Sequence, residues 1–189
     1  DSFRYDRRVP AYGVNCGVLE NPAGVFSTID TLTAPRGRPV FWPEGFEEPD
    51  LQFSTLANDP VEPLRNLVIV HAAYGDRTWS DQALDSRASR YGWTASMRDE
   101  ATTAAAAFRE EQHRLTVGLA ALETDATIRR AFQLMNDAIA LSAHGRYTGW
   151  RSFQIGFILA NIEVLRDPEG QSGIVDIVWF ATGGGKTET

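Results

Sequence analysis

Ile174-Val175-Asp176-Ile177-Val178-Trp179-Phe180-Ala181-Thr182-Gly183-Gly184-Gly185-Lys186-Thr187 decides how the rest of this chain is read. Its first seven residues are mostly apolar and β-branched, the pattern of a strand buried on both faces of a parallel sheet. The run feeds straight into glycines, and Gly185-Lys186-Thr187 closes the spacing of a Walker A loop, with Phe180 where the strict pattern has its first glycine. The chemistry calls for these residue types. Glycines let the backbone wrap a phosphate chain with successive amides pointing inward, and a compact ammonium reaches the outer phosphates. A hydroxyl at the next position holds Mg²⁺, and a helix starting near Lys186 would add its N-terminal amides and dipole.

The expected ligands are therefore ATP and Mg²⁺. Thr182, Gly183, Gly184, Gly185, Lys186 and Thr187 are the candidate phosphate-binding residues, Lys186 and Thr187 the candidate catalytic pair, and Thr187 the metal ligand. A flexible glycine-rich tail would also account for Gly-Gly-Gly-Lys, but not for the apolar strand ahead of it. Lys186 is moreover the single lysine among eighteen basic residues. In a chain that otherwise uses arginine, a lysine kept at this position points to a task that guanidinium does not fit.

Working upstream, residues 152–165 carry an apolar stripe at Phe153, Phe157, Ala160 and Val164, which predicts a helix ended by Asp167-Pro168-Glu169-Gly170. Gly145 and Gly149 bracket a loop before it. Between residues 95 and 145 the period is helical throughout. Phe108, Leu115, Leu119 and Leu122 follow the Ala-rich lead Ala104 to Ala107, and Ile128, Phe132, Met135 and Ile139 follow a break at Thr124-Asp125, where Asp125 is a candidate N-cap. Two helices packed on each other are predicted.

Residues 73–94 carry little period and read as a connection or short helices. Before them, Tyr12 to Leu19 and Val25 to Leu32 flank Asn21-Pro22-Ala23-Gly24 and predict a hairpin. Leu51 to Leu56 alternates with period two, and Leu67-Val68-Ile69-Val70 is a short apolar run, so both read as strands. The expected fold class is α+β. A β-rich region with its connecting segment fills 1–94, a helical hairpin 95–145, and the first helix and strand of an α/β ATPase domain 146–189.

The chain has 189 residues, 43% hydrophobic content and a formal net charge of −7, which fits a soluble globular class rather than disorder or a generally basic nucleic-acid coat. Cys16 is the single cysteine, so a disulfide framework and a thiolate metal cage are excluded, a reducing cytoplasm fits, and Cys16 is expected to be buried. No apolar run approaches the roughly 20 residues of a membrane span. No membrane association is expected, and the start at Asp1 reads as an internal cut. His71, His113 and His144 lack a metal-ligand spacing. Arg7-Arg8, Arg36-Arg38 and Arg129-Arg130 could meet a nucleic-acid backbone, and Phe41, Trp42 and Phe46, near Arg36 and Arg38, could stack on bases, although a solvated face accounts better for any one arginine pair and stacking is the weaker reading of the aromatics.

The runs Ala131-Phe132-Gln133-Leu134-Met135-Asn136, Trp150-Arg151-Ser152-Phe153-Gln154, Phe157-Ile158-Leu159 and Val178 to Glu188 resemble the DrmA-like helicases of the DISARM phage-defence systems, within superfamily 2. In that superfamily the loop commonly reads Pro-Thr-Gly-x-Gly-Lys-Thr, and here Ala181 replaces the proline, with Ser152 likewise in place of a more usual proline. The resemblance covers about the last third of the chain. Tyr12-Gly13-Val14-Asn15-Cys16-Gly17 matches only loosely.

It implies a RecA-like ATPase domain, an ATP-dependent motor moving on DNA, and a partner protein of the same defence system. It also implies that Gln154, at the start of the helix before the phosphate-loop strand, reads adenine. A glutamine amide is donor and acceptor at once, which suits the base edge. An ordinary solvated glutamine at a helix start is the alternative at Gln154. For the whole chain, the alternatives are a P-loop ATPase that does not translocate and an N-terminal module that binds DNA or a partner. The chain alone shows no acidic Mg²⁺-ligand motif and no second motor lobe, so no hydrolysis is expected of it in isolation.

Overall fold

The computed structural model describes residues 2–6, 9–30, 45–167 and 169–170. After a 3-10 turn at Phe3–Tyr5 come strands β1 (Gly17–Glu20) and β2 (Phe26–Ile29) and seven helices: α1 (Phe53–Asn58), α2 (Val61–Trp79), α3 (Asp81–Tyr91), α4 (Ala95–Thr124), α5 (Ala126–Ala143), α6 (Ser152–Ala160) and α7 (Ile162–Arg166). The described residues are thus mostly helical, with one two-stranded sheet.

The hairpin forms where its turn residues predict. β1 and β2 pair antiparallel with Gly17 opposite Ile29 and Glu20 opposite Phe26. The Asn21 carboxamide closes the turn by accepting the amides of Ala23 and Val25 at 2.9 and 3.0 Å, the local bonding that makes asparagine a turn residue. Cys16, at its entrance, is half-buried rather than buried.

The β reading fails at residues 51–56 and 67–70. Leu67-Val68-Ile69-Val70 lies inside α2, where Leu64, Leu67 and Val68 are buried at helical spacing while Ile69 is 51% exposed. A four-residue apolar run does not distinguish a strand from a turn of buried helix, and here it lies in the middle of the nineteen-residue helix Val61–Trp79. Pro63 is accommodated because it falls in the first turn, where its missing amide has no partner to lose. Phe53 and Leu56 are buried one helical turn apart in α1. Its start is held by Asp50, which accepts the Gln52 amide at 3.1 Å and the Thr55 hydroxyl at 2.7 Å. Of the predicted strand, a single antiparallel bridge between Gln52 and Gly149 is present.

α4 is the spine. Its thirty residues run roughly 45 Å at 1.5 Å per residue and serve two cores. Met97, Ala101 and Ala105 join Phe3 and Leu84 in a small cluster beside Trp79 and Trp93. Leu115, Leu119 and Leu122 join Leu56, Leu64, Phe132, Trp150, Ile155 and Leu159 in the main one. The main core thus draws residues from either side of positions 94 and 145. α4 and α5 meet at the predicted break, where Asp125 accepts the amides of Thr127 and Ile128 at 2.8 and 3.2 Å.

The helix predicted over 152–165 is two helices. Asn161 divides them because its side chain competes with the backbone ladder: Nδ2 donates to the Phe157 carbonyl at 2.9 Å and Oδ1 accepts from Arg114 at 2.7 Å. Arg166 is the last helical residue, as the Asp167-Pro168 signal predicts.

Candidate functional site

Thr182, Gly183, Gly184, Gly185, Lys186 and Thr187, with the strand predicted over 174–180, lie outside the described residues. Gln154 lies within them, at the third position of α6. It is buried, at 6% exposure, so the reading of an ordinary solvated glutamine does not hold. Its carbonyl Oε1 accepts the Arg151 amide at 2.9 Å, and its own backbone amide donates to the Arg151 carbonyl at 2.9 Å. That reciprocal bonding satisfies a helix-start donor and fixes the side-chain amide in one orientation.

The turn ahead of α6 is anchored from two directions. On one side the backbone of 148–150 pairs with 51–53: the Phe53 amide donates to the Thr148 carbonyl and the Trp150 amide to the Leu51 carbonyl, both at 2.9 Å. Gly149 permits this approach, since a Cβ there would sit 2.8 Å from the Leu51 carbonyl oxygen. On the other side the Trp150 indole donates to Oδ1 of Asn136 at 2.7 Å, and Nδ2 of Asn136 donates to the Phe132 carbonyl at 2.9 Å. Asn136 is fully buried and Trp150 nearly so. The indole is only a donor and the peptide carbonyl only an acceptor, so a single orientation of the Asn136 amide satisfies both. Phe53 packs edge-on against Trp150 with ring centroids 5.4 Å apart.

The rest of α6 is seated against α4. Ile155 and Leu159 are fully buried, and the Arg114 guanidinium reaches the Ala160 carbonyl at 3.3 Å, supplying a donor to the end of the helix. Between α5 and the α6–α7 pair lies an apolar groove of about 230 Å³, bounded by Ile128, Phe132 and Met135 on one wall and Ile158, Ile162 and Leu165 on the other.

Sequence reasoning passed over two networks. Asn136 falls four residues after Phe132 on the buried stripe of α5, and a lone amide on such a stripe was the available signal. The second joins residues distant in sequence. The Asp6 carboxylate, its side chain wholly buried, accepts Arg87 Nε at 2.7 Å, Arg87 Nη2 at 3.0 Å and the Trp93 indole at 2.9 Å. These hydrogen bonds, those from Arg87 foremost, hold its pKa below the ordinary carboxylate value against the opposing effect of burial. The guanidinium also lies 5.5 Å from the centre of the Trp93 ring.

Of the candidate nucleic-acid contacts, Arg7, Arg8, Arg36, Arg38, Phe41 and Trp42 lie outside the described residues. Arg129 donates to the Leu122 and Glu123 carbonyls, each at 3.0 Å, and so caps the end of α4, while Arg130 is exposed. Phe46 meets the Arg77 guanidinium. His71 stacks on Phe108 with ring centroids 4.4 Å apart, and His113 and His144 are exposed. Among the described residues no cluster of three or more His, Cys, Asp or Glu side chains could hold a metal ion, and no helix is long and apolar enough to cross a membrane.

No protein-family model matches the chain, and no solved structure matches it. One stretch is similar to a curated protein: 40 residues, 21% of this chain, are 58% identical to the DISARM protein DrmA of Bacillus paralicheniformis. The matched stretch spans 4% of that protein's length, so the likeness supports a local, DrmA-like relationship.

Proposed function

We propose that this chain belongs to an ATP-dependent DNA helicase or translocase of bacterial phage defence, to which it contributes the adenine-reading helix and the phosphate loop. The observation that carries the reading is the order of parts. A buried glutamine is fixed at the start of α6, followed in sequence by an apolar run and Gly183-Gly184-Gly185-Lys186-Thr187. The 40-residue likeness to a DISARM protein supports the defence role.

In this reading Gln154 meets the adenine edge, the amides of Thr182 to Gly185 and the Lys186 ammonium hold the phosphates, and the Thr187 hydroxyl holds Mg²⁺. The bound ion supplies positive charge to the phosphate oxygens. The protein's part is to position and to stabilise charge, as phosphoryl transfer generally requires. The motor region is RecA-like in this reading, and DNA and a partner protein of the same defence system are its macromolecular ligands.

The test is Lys186→Ala in the full-length protein that contains this chain. ATP turnover should fall to background while DNA binding persists, because the ammonium acts on the outer phosphates and not on the nucleic acid. Unchanged turnover overturns the assignment. DNA-independent turnover in the wild type, with no movement along a duplex or single strand, favours a P-loop ATPase that does not translocate.

A further inference from the structure

We infer that the apolar groove between α5 and the α6–α7 pair is the docking seat of Ile174 to Phe180, the run of this chain that leads into Gly183-Gly184-Gly185-Lys186-Thr187. The inference shares with the function proposed above the strand ahead of the phosphate loop, but not the binding of ATP.

The groove is a half-covered extension of the main core. Ile128, Met135 and Ile158 pack against that core while only partly buried, and Leu165 at the rim is 72% exposed. Covering apolar surface of this kind is favourable by about 25 cal/mol per Å². The tether selects the occupant. Leu165 and Arg166 border the groove and are the last residues of α7. Asp167 Oδ1 then accepts the Gly170 amide at 3.1 Å, so the chain folds back on the end of that helix. Ile174 comes four residues after Gly170, and a chain covers at most about 3.6 Å per residue, roughly 14 Å in all. The apolar run therefore begins within reach of the groove. A segment on so short a tether has an effective concentration of roughly millimolar order, which favours it over a separate partner of equal affinity.

Dimensions and pattern agree. Ile128 and Met135 stand two turns apart on α5, about 10 Å at 1.5 Å per residue, and an extended run from Val175 to Trp179 covers about 13 Å at 3.3 Å per residue. Side chains along a strand alternate between faces. Val175, Ile177 and Trp179 thus share an all-apolar face, and Asp176 falls on the opposite one. The apolar face matches the groove, and the carboxylate is spared burial against walls that offer it no partner. Docked in this way, the run ties the phosphate loop to the helix pair that begins with Gln154.

The test is cross-linking in the full-length protein. Met135→Cys on the α5 wall is paired with Ile177→Cys, treated with a short bismaleimide and read by mass spectrometry of the linked peptides. Ile69→Cys, exposed on α2 away from the groove, paired with Ile177→Cys is the control. The first pair should link within one molecule and the control pair should not. Equal linking in both, or none in either, overturns the proposal. A Met135–Ile177 link found between two molecules assigns the groove to a second copy and overturns it as well. A second measurement stands apart from the cysteines. Ala131 and Ala138 are both exposed on α5, and of the two only Ala131 borders the groove. Ala131→Arg should speed amide exchange over 175–179 by about tenfold, and Ala138→Arg should leave it unchanged. Equal effects of the two variants, or no effect of either, overturn the proposal. Loss of ATP turnover in Lys186→Ala alters neither readout, so the docking and the proposed function can fail separately.

Discussion

Gly118 of α4 and Leu159 of α6 approach so closely that a Cβ on Gly118 would lie 1.9 Å from the Leu159 carbonyl oxygen. The obstacle is backbone, which cannot swing aside as a flexible side chain would. Gly118→Ala should therefore push α6 away from α4. Alanine's better helix propensity, about 1 kcal/mol, is outweighed by overpacking of roughly 1–3 kcal/mol or more. Chemical denaturation should show the net loss, and under the proposed base-reading role of Gln154 on α6 the variant should also bind adenine nucleotides more weakly. An unchanged midpoint would mean the helices separate at no cost.

Asp6 ties the first residues to α3 and to Trp93. Asp6→Asn keeps the shape but loses the charge-assisted bonds from Arg87, a loss of roughly 1.5–3 kcal/mol at neutral pH for hydrogen bonds to a charged group. The folded-state pKa of Asp6 is lowered, so its contribution is complete above the unfolded pKa of about 3.9. It is lost as pH falls from there through the folded value. The Tm difference between wild type and Asp6→Asn should hold from pH 7 to about 5 and shrink in stronger acid. A difference that grows on acidification contradicts this.

Asp125 caps α5 with two amide bonds. Asp125→Ala should cost about 1 kcal/mol, seen as a Tm fall of about 2–4 °C for a chain of this size. Asp125→Asn keeps an acceptor oxygen and should recover most of it.

His144 ends α5 in the left-handed region, at φ 48°, with its side chain exposed. A residue with a Cβ is strained there by about 1–2 kcal/mol, and glycine relieves the strain while adding unfolded-state entropy. His144→Gly should stabilise by a net ~0.5 kcal/mol. A destabilised variant would show that the histidine ring contributes packing that its exposure does not suggest.

α4 and α5 were legible because each repeats its apolar residues over many turns, and Asp125 marks the boundary. The hairpin was legible from Asn21 to Gly24, although its strands are shorter than the apolar runs around them. Leu67 to Val70 was misread because four apolar residues carry no period of their own, and what made them helical was the surface of α4 against which Leu67 and Val68 are buried. Leu51 to Leu56 was misread because its alternation is satisfied by a single bridge at Gln52 before Asp50 starts a helix.

At the site the division is similar. Local sequence determined the start of a helix at Ser152, the position of Gln154 on it and its place ahead of the Gly185-Lys186-Thr187 motif in the chain, since all of these depend on neighbours along the chain. Only the tertiary structure decided that Gln154 is buried and tied to Arg151, that Trp150 is pinned by Asn136 fourteen residues earlier, and that Gly118 must lack a side chain for α6 to seat. Those relationships depend on which surfaces meet across the core, and hydrophobic periodicity specifies a buried face without naming the face that covers it.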